Sequence, residues 1–437
     1  MPRPRPSYRL LRILPLIAVI FLTVSGGPYG LEPLASYGGK HGALLLLLLT
    51  PLLWDIPTIL MVMELNSMMP VTGGYYQWVK KAMGLRWAWY EGWWTWLYTF
   101  ADLAIYPVLF VQYVSFFFPQ MAGFKIPVCL IIIWTSAALN ILGIVAVGRI
   151  SVILSVAVLV PFFILFGMHV GQGAFHIPAF SLKGMGYSSL GLGLYTVMWN
   201  FIGWDNVTTY AGEVNKPVKT YLISIFVALV LTILIYFMAV SAAISSGIDF
   251  SLLKDRGFPA LGAIIGGKWL ATAVALGGMA STLGLFSAVL LSISRVPKVM
   301  ADDGLLPQKL HSLHPRYNTP FVSIILSSII VSGMILWSFG DLVIIDITLY
   351  GGALFLEFIS LVKFRIKFPH EKRPFKIPLD VAALCVMIVL PVFVYSIALS
   401  SVLSVQSRML SPALFALGAL LSAEIIWRVI AWRKQKK

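Results

Sequence analysis

Trp199-Asn200-Phe201-Ile202-Gly203-Trp204-Asp205 lies inside an apolar segment that runs from about Leu190 to Ala211. A helix that crosses lipid must satisfy its backbone internally. Asn200, Gly203 and Asp205 so close together are poor material for that. Glycine weakens the helix, and an aspartate at mid-depth costs several kcal/mol unless it is paired or solvated. The stretch therefore reads as a broken helix whose loose carbonyls, loose N–H groups and Asp205 face a ligand cavity. Val24-Ser25-Gly26-Gly27-Pro28 interrupts a second apolar segment near the N-terminus in a similar way. Two interrupted spans at corresponding places in two halves point to the binding site of a secondary transporter.

The composition sets both stretches in a bilayer. The 437 residues are 59% hydrophobic and only 11% charged. Apolar runs of about 20 residues, enough to cross about 30 Å of hydrocarbon, recur along the whole length. The chain is read as an all-α polytopic, integral membrane protein with twelve transmembrane helices. They are expected at about 13–37, 43–66, 90–118, 126–146, 150–172, 188–211, 218–246, 261–292, 319–339, 342–364, 379–401 and 410–431. Arg3, Arg5, Arg9 and Arg12 precede the first run, as in a signal peptide. No convincing small-residue cleavage site follows, so the run is read as a retained first span. A net charge of +15 would point to nucleic acid in a soluble protein. Here its distribution gives a better account, and no nucleic-acid partner is expected. With both termini cytoplasmic, the inner segments hold 25 Lys and Arg against 7 outside, in line with the positive-inside rule.

Ten functional spans plus two extra ones fit a five-plus-five inverted repeat with a break in the first helix of each half. The expected divisions are residues 1–172 for the first repeat, 188–364 for the second, and 379–437 for the accessory helices and cytoplasmic tail. At the first break, proline removes a donor and two glycines permit irregular dihedrals. A plain proline kink is the structural alternative. Ser25 sits at the break, and Glu32 about one turn into the outer half-helix. Asp102 and, four residues on, Tyr106 share one face of the third span. Asp55 lies deep in the second span. Glu64, at its end, is read as capping or pairing with a basic loop residue. Glu213, beside Lys216 and Lys219, is either a gate ion pair or a plain surface pair. Glu213 and Asp55 are the gate candidates. His169 is read as interfacial. The segment Ser294 to Pro320 predicts a short amphipathic helix on the inner membrane surface. His311 and His314 have no third ligand nearby, so no metal or cofactor is expected. Span ten carries Asp346 and Glu357, and Lys363 to Lys376 form a solvated basic loop that faces anionic lipid. Cys129 and Cys385 read as small hydrophobes rather than a disulfide.

Taken together, these stretches resemble the amino acid–polyamine–organocation superfamily of transporters over nearly the whole chain. The likeness rests on Ser25-Gly26-Gly27 and on Glu64 through Gly73-Gly74-Tyr75. It rests further on Trp199 to Asp205 followed by Ala211-Gly212-Glu213-Val214, and on Ser294 to Pro320. Within the superfamily the chain is most similar to the polyamine–proton symporter branch of plants and protozoa. Val24 to Glu32, Asp102 with Ala104 to Phe110, and Trp204-Asp205 carry that likeness. The resemblance implies the leucine-transporter fold with broken helices 1 and 6, a site between spans one, three, six and eight, and alternating access. Short termini and loops are unlike eukaryotic members and imply a prokaryotic plasma-membrane protein.

The expected substrate site comprises Ser25, Gly26, Gly27, Glu32, Asp102, Tyr106, Trp199, Asn200, Gly203, Trp204 and Asp205. In amino acid members, first-helix N–H groups hold the substrate carboxylate, aided by a half-helix dipole. Here Pro28 removes a donor, and Glu32, Asp102 and Asp205 add negative charge. That suits a substrate with several ammonium groups and no carboxylate. Trp199, Trp204 and Tyr106 would add cation–π contacts of about 0.5–2 kcal/mol each. Gly26 and Gly27 still offer N–H groups, so an amino acid stays open as the alternative substrate. Some proton-coupled relatives place a lysine in the fifth span, and Ile150 to Gly171 has none. A proton co-substrate would then need a buried carboxylate, Asp102 first and Asp205 second. Sodium coupling or exchange stays open, as does the oligomeric state. A membrane-embedded enzyme is disfavoured, because no nucleophile–base constellation and no metal-ligand set occurs.

Overall fold

The computed structural model describes residues 11–177, 180–403 and 410–435. Arg3, Arg5, Arg9, Arg408, Lys436 and Lys437, which entered the charge asymmetry, lie outside the described residues. Within them the regular structure is helical, with two isolated bridges, Leu11 with Val214 and Thr72 with Tyr210. The helices are α1 (Ile13–Val24), α2 (Glu32–Thr50), α3 (Ile56–Met68), α4 (Gly74–Met83), α5 (Leu85–Phe117), α6 (Lys125–Ile141), α7 (Ile144–Gly171) and α8 (Tyr187–Phe201). There follow α9 (Pro217–Ser245), α10 (Phe250–Arg256), α11 (Phe258–Ile293), α12 (Arg295–Asp302), α13 (Phe321–Met334), α14 (Phe339–Lys367), α15 (Val381–Leu403) and α16 (Leu410–Gln435). Among the described residues, nine helical runs are long and apolar enough to cross a membrane, while α1 and α13 are apolar but shorter.

The interior is apolar, as in a water-soluble protein, but much of the outer surface is apolar as well. On α7, Gly148, Ser151 and Ser155 face inward, while Ile153, Val156 and Val160 are exposed. An apolar outer face is a liability in water and the natural outcome in lipid. Small residues on the inner face let helices approach closely. Accordingly α7 packs along α11, and α5 packs along α14.

The two predicted breaks are present. After Val24 the chain passes Gly26 and Gly27 at φ +58° and +93°, and restarts as a helix at Glu32. After Phe201 it passes Ile202, in extended conformation, and Gly203 at φ +100°. An alanine at 203 would be strained and would put its Cβ 3.2 Å from the Thr23 carbonyl oxygen, so glycine serves a real need there.

Several boundaries differ from the sequence reading. The stretch from Asp205 to Ala211, expected as continuing helix, consists of short 3₁₀ turns at Asn206–Thr208 and Ala211–Glu213. The hydroxyls of Thr208 and Thr209 donate to the carbonyls of Asp205 and Asn206, which a helix would otherwise use. Gly39 and Gly267 interrupt α2 and α11 with non-helical backbone. A widened π turn at Pro51–Asp55 precedes α3, between two prolines that donate no N–H. The amphipathic α12 forms, but its apolar face docks on the bundle, with Val299 against Gly73 and Met300 against Gly92.

Candidate functional site

The two breaks meet at a small cavity. Thr23, Val24 and Ser25 line it from the first break, and Asn200 and Ile202 from the second. Tyr106, Trp199 and Leu285 close the remaining sides. Asp102 stands directly behind this wall. Tyr106 Oη donates to Asp102 Oδ1 at 2.6 Å from one turn further along α5, and Trp199 Nε1 donates to the same oxygen at 3.3 Å. Among the described residues no lysine or arginine pairs with Asp102, which is only 3% exposed. A buried carboxylate behind aromatic walls, with hydrogen bonds but no counter-cation, is a site that attracts a cation.

The backbone donors of the first break are already engaged. Gly26 N–H donates to the Phe21 carbonyl at 2.9 Å, and Gly27 N–H donates to Ser25 Oγ at 3.1 Å. Gly30 N–H donates to Glu32 Oε2 at 2.6 Å. The expectation that Gly26 and Gly27 offer N–H groups to a substrate carboxylate therefore does not hold in this arrangement. Tyr236, on α9, ties the two breaks together by donating to the Asn200 carbonyl at 2.6 Å and towards that of Ser25 at 3.4 Å.

Not every expected residue reaches the cavity. Glu32 is the first residue of α2, not a turn inside it, and it turns toward Tyr113, whose hydroxyl donates to Oε1 at 2.7 Å. Its carboxylate abuts Gly257 at the start of α11, away from the cavity wall. Asp205 accepts from Tyr350 Oη at 2.9 Å, on the far side of the second break. Gly203 serves the break itself. Trp204 is wholly buried beside Asp55. Asp55 thus sits in the core, with neither carboxylate oxygen bonded, rather than at an entrance.

Glu213 pairs with neither Lys216 nor Lys219. Arg295 reaches it in bidentate fashion, at 2.9 and 3.0 Å. The bridges of Leu11 with Val214 and of Thr72 with Tyr210 close the same end of the bundle. Glu64 is bound by Arg365, on α14, at 2.6 Å through both oxygens, and by the loop residue Arg373 at 3.2 Å. His169, expected at an interface, is buried, and its Nε2 shares a 2.7 Å bond with Ser245 Oγ.

The structure adds acids to the interior that the expected site leaves out. Glu91, Asp346 and Glu357 are all wholly buried. On α5, Glu91, Thr95, Tyr98 and Asp102 share one face, and on α14 so do Asp346, Tyr350 and Glu357. The helices run antiparallel. Tyr98 packs edge-on against Tyr350 at 5.2 Å, Glu91 lies within electrostatic reach of Glu357, and Asp102 within reach of Asp346. The eleven-residue spacing of the two acids on each helix, Glu91 to Asp102 and Asp346 to Glu357, is the sequence signal for each stripe. Nothing in the sequence sets the stripes against each other. Tyr236 carries no such signal.

The chain matches the family model described as amino acid permease over residues 11–420. It is 36% identical over 389 residues to the polyamine transporter RMV1 of Arabidopsis thaliana, covering 87% of this chain and 78% of that protein. It is 31% identical over 447 aligned positions to the polyamine transporter PUT1 of Oryza sativa subsp. japonica, covering 99% of this chain and 81% of that protein. Both relatives come from plants, which weakens the prokaryotic origin expected from short termini and loops. Long apolar helices, a cavity at paired helix breaks and these likenesses lead to one conclusion: the chain is an integral membrane transporter, not an enzyme, and belongs to the amino acid permease family.

Proposed function

We propose that this protein is a proton-coupled secondary transporter that moves polyamines or related organic cations by alternating access. The observation that carries the reading is Asp102 behind the cavity wall, held by Tyr106 and Trp199 and lacking a counter-cation. An ammonium group entering the cavity would neutralise it. The engaged N–H groups of Gly26 and Gly27 favour a substrate without a carboxylate over an amino acid. The similar plant proteins are named as polyamine transporters. For an amino acid to bind instead, the Ser25 hydroxyl would have to release Gly27.

Ser25, Tyr106, Trp199 and Asn200 contact the substrate around Asp102, while Gly26, Gly27 and Gly203 shape the breaks. Asp205, Trp204 and Glu32 support the site from behind. Asp102 and Asp205 are the candidate proton carriers. Glu213 with Arg295 forms the gate at one end. The architecture proposed is the leucine-transporter fold, with twelve spans, broken helices 1 and 6, and inverted repeats at 1–172 and 188–364. Residues 379–437 form the accessory part. The charge asymmetry supports cytoplasmic termini.

Isothermal titration of the purified protein tests the substrate class. Putrescine and spermidine should bind, and alanine and leucine should not. Binding of alanine with no binding of either amine would overturn the reading.

A further inference from the structure

The acids of α5 and α14 extend well beyond the cavity. From Asp346 to Glu357 the α14 stripe descends eleven residues, about 16 Å along the helix. At its lower end Glu357 and Asp205 bring their carboxyl groups within hydrogen-bond reach of each other. Asp205 is well supplied with donors. Tyr350 Oη reaches it at 2.9 Å, and the N–H groups of Asp205 and Asn206 point at it. Glu357 is the opposite case, because it is wholly buried and neither of its oxygens has a donor.

The groups facing this pair do not supply a positive charge. Glu91 and Tyr98 face it from α5, Tyr75 from α4, and Asp346 and Tyr350 from α14, while Asp55, in the π turn before α3, lies within reach of Tyr350. Among the described residues no lysine, arginine or histidine forms an ion pair with any of these acids. Two carboxylates this close repel unless a cation lies between them. The pair lies outside the cavity lining, so the smallest cation is the one that fits.

We infer that Glu357 and Asp205 share one proton, and that this pair, rather than the substrate-facing Asp102, holds the proton that drives transport. The proton sits on a Glu357 oxygen and is donated to Asp205, which supplies the one hydrogen bond Glu357 lacks. Asp205 belongs to the broken segment and Glu357 to the continuous α14. Movement of the broken segment separates them. The Glu357 O–H then loses its acceptor and releases its proton to water on the side to which the site has opened. A proton from the opposite side restores the pair on return. Glu357 acts here as a positioning and proton-holding group and does not touch the substrate.

This rests on the proton-coupled reading above. The test uses the full-length protein in proteoliposomes with a pH-sensitive dye trapped inside. Labelled putrescine uptake and lumen acidification are recorded together, and their ratio is read. Wild-type protein should acidify the lumen in proportion to putrescine moved. In Glu357→Gln, whose amide supplies the missing donor permanently, acidification per putrescine should fall to background. A purely structural defect would lower both signals together and leave the ratio intact, which would overturn the inference. If the wild type itself shows no acidification, the coupled reading fails, a distinguishable result. Glu357→Asp keeps the acid but shortens its reach, and serves if the glutamine variant does not fold. It should shift the pH profile of uptake, and a profile superimposable on the wild type would overturn the assignment.

Discussion

Trp199 and Asp102 meet across the bundle. The indole Nε1 of the last turn before the second break donates to the α5 carboxylate at 3.3 Å, and Tyr106 donates to the same oxygen. One helix that breaks and one that runs unbroken thus hold one buried carboxyl group between them.

Asp102→Asn keeps the shape and both hydrogen-bond partners but removes the charge. Binding of spermidine and its gradient-driven uptake should both be abolished, while the protein purifies as a monodisperse species of wild-type thermal stability. Full transport by this variant would remove Asp102 from the mechanism. Tyr106→Phe is the milder probe. Loss of one hydrogen bond to a charged group should weaken spermidine binding about tenfold, as measured by titration.

Arg295 is 3% exposed in its side chain and its partner Glu213 about a third, so the pair is asymmetric. Glu213→Gln leaves the guanidinium buried with half its support. The variant should lose about 1–2 kcal/mol, discounted for the exposed partner. It should also open that end of the bundle. A cysteine placed at Val214, with Cys385 replaced by serine, should then react faster with a membrane-impermeant maleimide than in the parent. Equal labelling rates would show that the pair does not close this end.

Glu64 is a stability residue in this account. It is 1% exposed and receives Arg365 through both oxygens and the Ile377 N–H at 2.9 Å. Removing one partner of such a buried set costs about 3–5 kcal/mol, because the remaining charge is stranded. Glu64→Ala should sharply reduce the yield of folded protein and the melting temperature in detergent. A melting temperature within one or two degrees of the parent would contradict this.

Gly203→Ala tests the second break. The positive φ alone costs about 1–3 kcal/mol for a residue with a Cβ, and the Thr23 carbonyl stands 3.2 Å from where that Cβ would be. The variant should bind spermidine more weakly and melt lower. Gly333→Ala, in a helix with open space around it, is the control and should do neither.

The breaks were legible because Gly, Pro and polar residues inside apolar runs conflict with a continuous helix in lipid. Tyr106 on the face of Asp102 was legible from helical spacing. The chain after Asp205 departs from the sequence reading. The apolar segment up to Ala211 reads as a continuing span, but the Thr208 and Thr209 hydroxyls bond the Asp205 and Asn206 carbonyls and the chain forms 3₁₀ turns instead. Glu213 has only Lys216 and Lys219 beside it in sequence, because its partner Arg295 lies 82 residues away. Closeness to the break points Glu32 toward the cavity, whereas the Tyr113 hydroxyl, 81 residues on, draws it elsewhere. Long-range partners of this kind leave no local trace. The acids of α14 are visible as intramembrane carboxylates, but only the antiparallel packing of α5 and α14 sets them against Glu91 and Asp102, and only the fold of the second break brings Asp205 to Glu357.

Uptake into proteoliposomes under an inward proton gradient, comparing labelled putrescine and spermidine with leucine, alanine and arginine, decides the substrate class. The carboxylate-centred site predicts accumulation of the two amines and not of the zwitterions. Accumulation of leucine or alanine alone would mean that the first break frees its N–H groups to hold a carboxylate, and would contradict the account.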